Sequence, residues 1–369
     1  MCIRDSPYTS LDERCYWAPA VGRIPHEDIS MLWKPKRDVK RGHKIATYGS
    51  CFAQHFGRAL RSRKYGWMDA EECPSGMSEE STAKYNYGVF TSRTGNIYTT
   101  SLLRQWTEWA LGKKNPPSEV WVKDGRIIDP FRPNIEPNGF DSEKEMFDSR
   151  NLTIESFLKS FSEANLFVFT LGLTESWKNI ADYEYPICPG TIAGEFDKDE
   201  HIFVNHKFRD ILGDLRKTVA LMRGVNPKLR VLLTVSPVPL TATMSGNHVL
   251  TATVESKSIL RAVAGEATRS SSIFDYFPSF EIISGTPFQG VYYNSNKRTV
   301  RQEGVDFVMS SFFDCLNAEF RPERRKRVVE EKSSTTRVTE ENSDDTIVCE
   351  EELLAAFDSS AVSTRAGAA

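Results

Sequence analysis

The stretch "KIATYGSCFAQHFGRAL", residues 44–60, places a short β-prone run against an amphipathic helix with Gly-Ser-Cys between them. Lys44–Tyr48 reads as a strand. Phe52, Phe56, Ala59 and Leu60 repeat at i, i+4, i+7 and i+8, the stripe of a helix with one buried face. Gly49 allows the tight turn that joins them. Ser50 then stands where strand becomes helix, near free backbone N–H groups and the positive end of the helix dipole. A hydroxyl there either caps the helix or attacks a carbonyl whose developing charge those N–H groups stabilise. Both readings stay open at this point.

Farther along, continuous apolar runs alternate with helical periods. A helix is expected near 153–164, a strand at 166–171 ("LFVFTL") and a helix over "FRDILGDLRKTVALMRGV" at 208–225. A strand at 229–235, a helix at 251–267, a strand near 272–277 and a last helix at 302–316 follow. Uninterrupted apolar strands between helices predict an α/β fold with a mostly parallel sheet covered on both faces. Residues 1–43 read as an arm packed on the domain, anchored by Trp17 and Trp33. Residues 66–100 are loop-rich, and a helix at 101–112 ends at Gly112. Residues 115–150 read as an irregular insertion with one hairpin turning at Asp124-Gly125. Residues 172–205 read as a long aromatic loop. The domain is thus bounded at 44–318, and 319–369 is a charged, Ser/Thr-rich tail expected to be mostly disordered, with a brief helix near Glu350–Phe357.

Composition narrows the function classes. Lys and Arg (47) balance Asp and Glu (50) without a basic stripe, which predicts no nucleic-acid partner. The longest apolar stretch, 166–173, is too short to span a bilayer, and "MCIRDSPYTS" has no apolar signal-peptide core, so no membrane association is expected. The opening "MCIRDS" resembles a translated adapter scar, so the true start is expected elsewhere. Seven scattered cysteines without metal-ligand spacing point to reduced thiols, no metal and a cytoplasmic, bacterial-type location. No cofactor motif is present.

Residues 44–58 resemble the signature of the GSCFA domain family, which is grouped with the SGNH, or GDSL-like, hydrolases. The resemblance continues through "GNIYTTSLL" (95–103), "TLGLTESW" (170–177), "TVSPVPL" (234–240), "ESKSILR" (255–261), "YFPSFEI" (276–282) and "RTVRQEGVDFVM" (298–309). It implies a flavodoxin-like α/β/α sandwich. It also implies serine esterase or acyltransferase chemistry on O-acyl groups, plausibly of carbohydrates. The superfamily's nucleophile maps onto Ser50 and its oxyanion glycine onto Gly95, with Asn96 beside it. Thr174 stands where an Asn normally completes the oxyanion hole. The superfamily's Asp-x-x-His base pair maps onto Asn296 and Thr299, neither of which accepts a proton near neutral pH.

Another base is therefore needed. Of the six histidines, His248 lies in the loop after strand 229–235, at the carboxyl edge where open α/β sheets bind ligands, and is the first choice. His201 and His206 share that edge. His55 points about 140° away from Ser50 and about 7.5 Å along the helix, so it reads as structural. Cys51 reads as packed, since one of two adjacent side chains faces the pocket. Glu175 and Trp177 follow the third strand and suit substrate hydroxyls and stacking; Arg298 suits an anionic group. Two functions follow: a serine-dependent esterase or acyltransferase acting on a small-molecule or carbohydrate ester, or a catalytically degenerate protein binding a glycan or nucleotide-linked sugar.

Overall fold

The computed structural model describes residues 6–322 and 347–357. These divide into two compact units, residues 39–277 with 347–357, and residues 6–38 with 278–322.

The larger unit is built on four parallel strands among the described residues: β1 (Ile45–Gly49), β4 (Leu166–Leu171), β8 (Arg230–Val235) and β9 (Phe274–Tyr276), in the order β1-β4-β8-β9. Registers run Ile45 on Leu166 through Gly49 on Thr170, and Leu166 on Arg230 through Leu171 on Val235. Beyond β1, Trp67 makes a single parallel bridge to Ile45, flanked by Ile45 N–H to Gly66 and Met68 N–H to Ile45. This one-residue rung stands where the second strand of a doubly wound sheet lies. The chain thus leaves β1 toward one side and returns as β4 on the other, which makes the crevice beyond their carboxyl ends a topological switch point.

Every residue of β1 is buried, which requires cover on both faces. Helix α1 (Phe52–Ser62) packs on β1 and β4, and α6 (Val249–Ser270) on β8 and β9. Helix α3 (Thr100–Ala110) packs on α4 (Glu143–Glu163) and α5 (Phe208–Val225). Aromatic rings fill the space, Tyr48 stacking on Phe167 and edge-on to Phe157. A short helix α2 (Glu79–Lys84) interrupts the loop-rich stretch after α1.

Two expectations change. Helix α4 begins at Glu143, ten residues before the predicted 153, because Ser142 caps it by accepting from Glu145 N–H. Its first turns bury only Met146 and Arg150, so the apolar stripe starts late. The predicted hairpin exists as β2 (Trp121–Lys123) and β3 (Arg126–Ile128) around Asp124-Gly125. The aromatic loop 172–205 instead holds an antiparallel sheet, β6 (Tyr183–Tyr185), β5 (Glu175–Asn179) and β7 (His201–Asn205), with Trp177 paired between Tyr185 and Phe203.

In the smaller unit, Trp33 is buried and stacks on Phe312 of α8 (Gln302–Phe320), ring centroids 5.2 Å apart. Trp17 is exposed. Helix α7 (Ser279–Ser284) packs on α8. Residues 278–318, read from sequence as the end of the 44–318 domain, group with this unit. The tail expected to be disordered lies mostly outside the described residues; its Glu350–Phe357 segment is a 3-10 helix belonging to the larger unit. No described helix is long and apolar enough to cross a membrane.

Candidate active site

Ser50 sits at the carboxyl end of β1, with 3% of its surface exposed. Its Oγ is buried and has no hydrogen-bond partner among the described residues, and the same holds for Thr170 Oγ1 at the end of the neighbouring strand. Orphaned buried hydroxyls are rare, because each forfeits the bonds that water gave it. The cap reading of Ser50 is not realised: the cap position is Cys51, without a side-chain cap bond. Ser50 N–H is not free either, since it donates to Thr170 O at 3.1 Å, so it is not an oxyanion donor here.

Two backbone segments close around this serine. Gly172, just past β4, is so near that a Cβ there would stand 3.1 Å from Ser50 Cβ and 3.2 Å from the Tyr98 ring. Segment 95–98 is tied to the end of β1 by Ile97 N–H on Gly49 O at 2.8 Å. Gly95, with φ +69°, turns the chain so that Asn96 faces the small cleft holding Ser50 and Gln54. Gln54 Nε2 donates to Asn96 Oδ1 at 3.2 Å and fixes the amide's orientation.

Asn96 and Tyr98 form an anion seat. Asn96 donates its backbone N–H and its Nδ2 to the Glu350 carboxylate, and Tyr98 OH donates to Glu350 Oε2 at 2.8 Å. The backbone of the same segment is clamped, Val348 N–H on Gln54 Oε1 at 3.1 Å and Val348 O accepting from Gln54 Nε2 and Asn96 Nδ2 at 2.7 and 2.9 Å. Glu350 is 2% exposed. Burial pushes its carboxyl up, against the opposing pull of Asn96 and Tyr98. The Tyr98 hydroxyl is pushed well up by burial and by Glu350, so it remains a donor.

None of the histidines in this unit bonds Ser50. His248 is exposed and caps α6, its Nδ1 accepting from Leu250 N–H at 3.2 Å. His201 accepts from Asp197 N–H at 2.9 Å. Burial, with Arg58 adding, pushes His55 down to about 4, and its ring meets Phe52 edge-on. His206 Nε2 lies 3.0 Å from Ser176 Oγ and 3.2 Å from Ser101 Oγ, with Glu184 Oε2 at 3.6 Å. A serine–histidine–acid relay needs the acid on the other ring nitrogen. Here acid and hydroxyls converge on one, so the cluster is a buried polar network. Replacing His248 with Ala should therefore cost about 1 kcal/mol in urea denaturation, the value of a lost N-cap, and leave Ser50 reactivity within about twofold.

Thr174 is buried, its N–H on Ser256 Oγ at 3.2 Å and its carbonyl accepting from His206 N–H at 2.8 Å. Lys257, a residue to which the sequence reading gave no role, is 2% exposed and donates from Nζ to Gly172 O at 2.7 Å. Together Ser256 and Lys257 of α6 fasten the turn that presses Gly172 on Ser50. The available signal was a lysine within "ESKSILR" on the face that also buries Leu260 and Ala264.

Glu175 and Trp177 line an adjoining cavity of about 400 Å³ with Tyr98 and Leu173. Burial pushes the Glu175 carboxyl up, and Thr243 Oγ1 donates to it at 2.6 Å. Trp177 meets Phe196 and Phe203 at 5.3 and 5.6 Å. Arg298, Asn296 and Thr299 fall in the smaller unit. There Asn296 Oδ1 accepts from the N–H groups of Arg298 and Thr299, each at 3.0 Å, a turn-capping role in which a base is not required.

The model of the GSCFA family matches residues 44–312. The chain belongs to the GSCFA family. No curated protein and no solved structure matches it. The GSCFA signature itself spans the turn that holds Ser50, and the matched region takes in Gly95, Asn96, Gly172 and Lys257. Residues 347–357 of this GSCFA chain, which fill the seat, lie outside the match.

Proposed function

We propose that the Ser50 site is an acyl-transfer site, used by a serine-dependent esterase or acyltransferase acting on an O-acyl group of a small molecule or carbohydrate. One observation carries this reading: an unpartnered, buried serine hydroxyl shares its cleft with Asn96, whose backbone and side-chain amide N–H groups already hold a carboxyl oxygen pair. Donors fixed in place beside a hydroxyl are what an acyl carbonyl needs as its oxygen gains charge on attack. Ser50 Oγ would attack the acyl carbon while the carbonyl oxygen lies on Asn96. The ester C–O bond breaks, the alcohol leaves carrying the Ser50 proton, and water or a second hydroxyl then takes the acyl group and returns its own proton to Ser50 Oγ.

A second reading is a non-catalytic binding site on the same fold, favoured by the absence of any histidine bonded to Ser50 among the described residues. A fluorophosphonate probe separates the two, since it labels only an activated serine. The full chain and a Glu350→Ala variant with the seat vacated should both be tested. Labelling at Ser50, located by peptide mass and abolished in Ser50→Ala, is expected in the vacated variant. Absence of label from both forms would remove the hydrolase reading and leave the binding one.

A further inference from the structure

We infer that the Asn96–Tyr98 seat and the adjoining apolar cavity are one binding site for a carboxylate or acyl ester bearing a medium-length apolar chain, and that residues 348–357 occupy it as a stand-in for that ligand. In its ester form this rests on the acyl-transfer reading of Ser50; the binding of a free acid does not.

The head of the ligand is defined by the seat. A carboxylate with 2% exposure is held by Asn96 and Tyr98, both themselves buried to 3% or less. The tail is defined by the cavity, about 400 Å³, walled by Leu102, Leu173, Trp177, Phe203, Leu240 and Met244. The carboxylates that also line it are engaged. Glu184 accepts from Ser101 and Thr99, Glu175 from Thr243, and Glu351 from Thr241 N–H at 2.8 Å. What remains for a ligand is apolar surface, and the engaged acids repel a second anionic group, so a single head goes to the seat.

Head and tail are joined by the segment that covers both. Glu350 fills the seat; Glu351, Leu354 and Phe357 of the same segment line the cavity. The seat is thus one residue's length from the cavity. Tyr98 belongs to both, its hydroxyl to the seat and its ring to the cavity and to Gly172. Buried carboxylate followed by apolar side chains is the chemical order of a fatty acid. An acetyl group would leave most of 400 Å³ empty, whereas a chain of about eight to ten carbons suits a cavity in the ordinary small-molecule range.

The test is calorimetric titration of the full chain with sodium acetate, octanoate and decanoate below their micellar concentrations. Decanoate is expected to bind, with acetate showing no heat, and affinity should rise roughly three- to fourfold per methylene from octanoate to decanoate. Glu350→Ala removes the competing head and should tighten decanoate at least tenfold. Leu354→Asp weakens the segment's apolar hold and should act in the same direction, which keeps the competition testable if one variant fails to fold. Phe196→Asp, an exposed position on the cavity wall, should weaken decanoate at least tenfold. Equal affinity for acetate and decanoate, no decanoate binding to either segment variant, or unchanged affinity in both would overturn the inference. Fluorophosphonate labelling in parallel keeps the two failures apart. Decanoate binding without label removes only the hydrolase reading, and label without chain-length dependence removes only the inference made here.

Discussion

Gly49→Ala should destabilise the protein by about 3–5 kcal/mol in denaturant unfolding, at the exceptional end for a single substitution. Gly49 has φ +127°, a region that an L side chain rarely adopts. A Cβ there would lie 2.3 Å from Thr170 O and 2.6 Å from Thr170 N, both main-chain atoms of the strand paired with it. Backbone at that distance does not step aside as a side-chain tip would. β1 and β4 must separate at their carboxyl ends, breaking Ser50 N–H to Thr170 O and Ile97 N–H to Gly49 O. Those two bonds hold the Ser50 turn and the Asn96 segment in place, so any Ser50 labelling should fall with stability. Gly213→Ala is the control. It lies in α5 with open space where the Cβ would go, and should stabilise by about 0.5–1 kcal/mol.

The same local chemistry explains what was legible in the sequence. The strand–turn–helix at 45–62 and the runs 166–171 and 230–235 carry strong short-range signals: unbroken apolar strands, a helical stripe and a glycine between them. Ser50 stands out because it sits on that turn, whereas Gly95 and Asn96 were singled out only through the family resemblance. The antiparallel sheet in 172–205 was hidden because its strands are three to five residues long and its pairing is across aromatic rings, Trp177 on Tyr185 and Phe203. Alternation over so few residues is weak. Least visible was the occupant of the seat. Glu350 and Asn96 are separated by 254 positions, and a charged, Ser/Thr-rich tail argues by composition against burying a carboxylate. Histidine placement was equally opaque, since a residue's position on the ligand-binding edge does not say where its ring is directed. His248 spends its ring nitrogen on a helix end, a use that Ser, Asp or Asn usually fills.

Asp129→Asn should cost about 3–5 kcal/mol, for an electrostatic reason where Gly49 has a steric one. Asp129, Arg132 and Arg150 have side chains 0–1% exposed. Arg132 Nε and Arg150 Nη2 each donate to the Asp129 carboxylate at 2.8 Å, and Phe131 N–H and Arg150 Nε add bonds at 3.0 and 3.2 Å. Burial by itself would raise the Asp129 carboxyl; Arg150 and Arg132 outweigh it and hold the group below the ordinary carboxylate range. Asn keeps the shape but leaves two guanidinium groups without their counter-charge in a dry interior. The sign with pH follows from the lowered value. The carboxylate's contribution is complete above the unfolded pKa of about 4 and is lost as pH falls through the folded one. Urea midpoints of wild type and Asp129→Asn should therefore differ most near pH 7 and converge on strong acidification, each compared at unchanged m-value. A triple variant, Asp129→Asn with Arg132→Met and Arg150→Leu, should regain much of the loss, because it removes the stranded charges themselves. If the triple variant is as unstable as the single one, the cost lies in lost attraction and packing and not in unpaired buried charge.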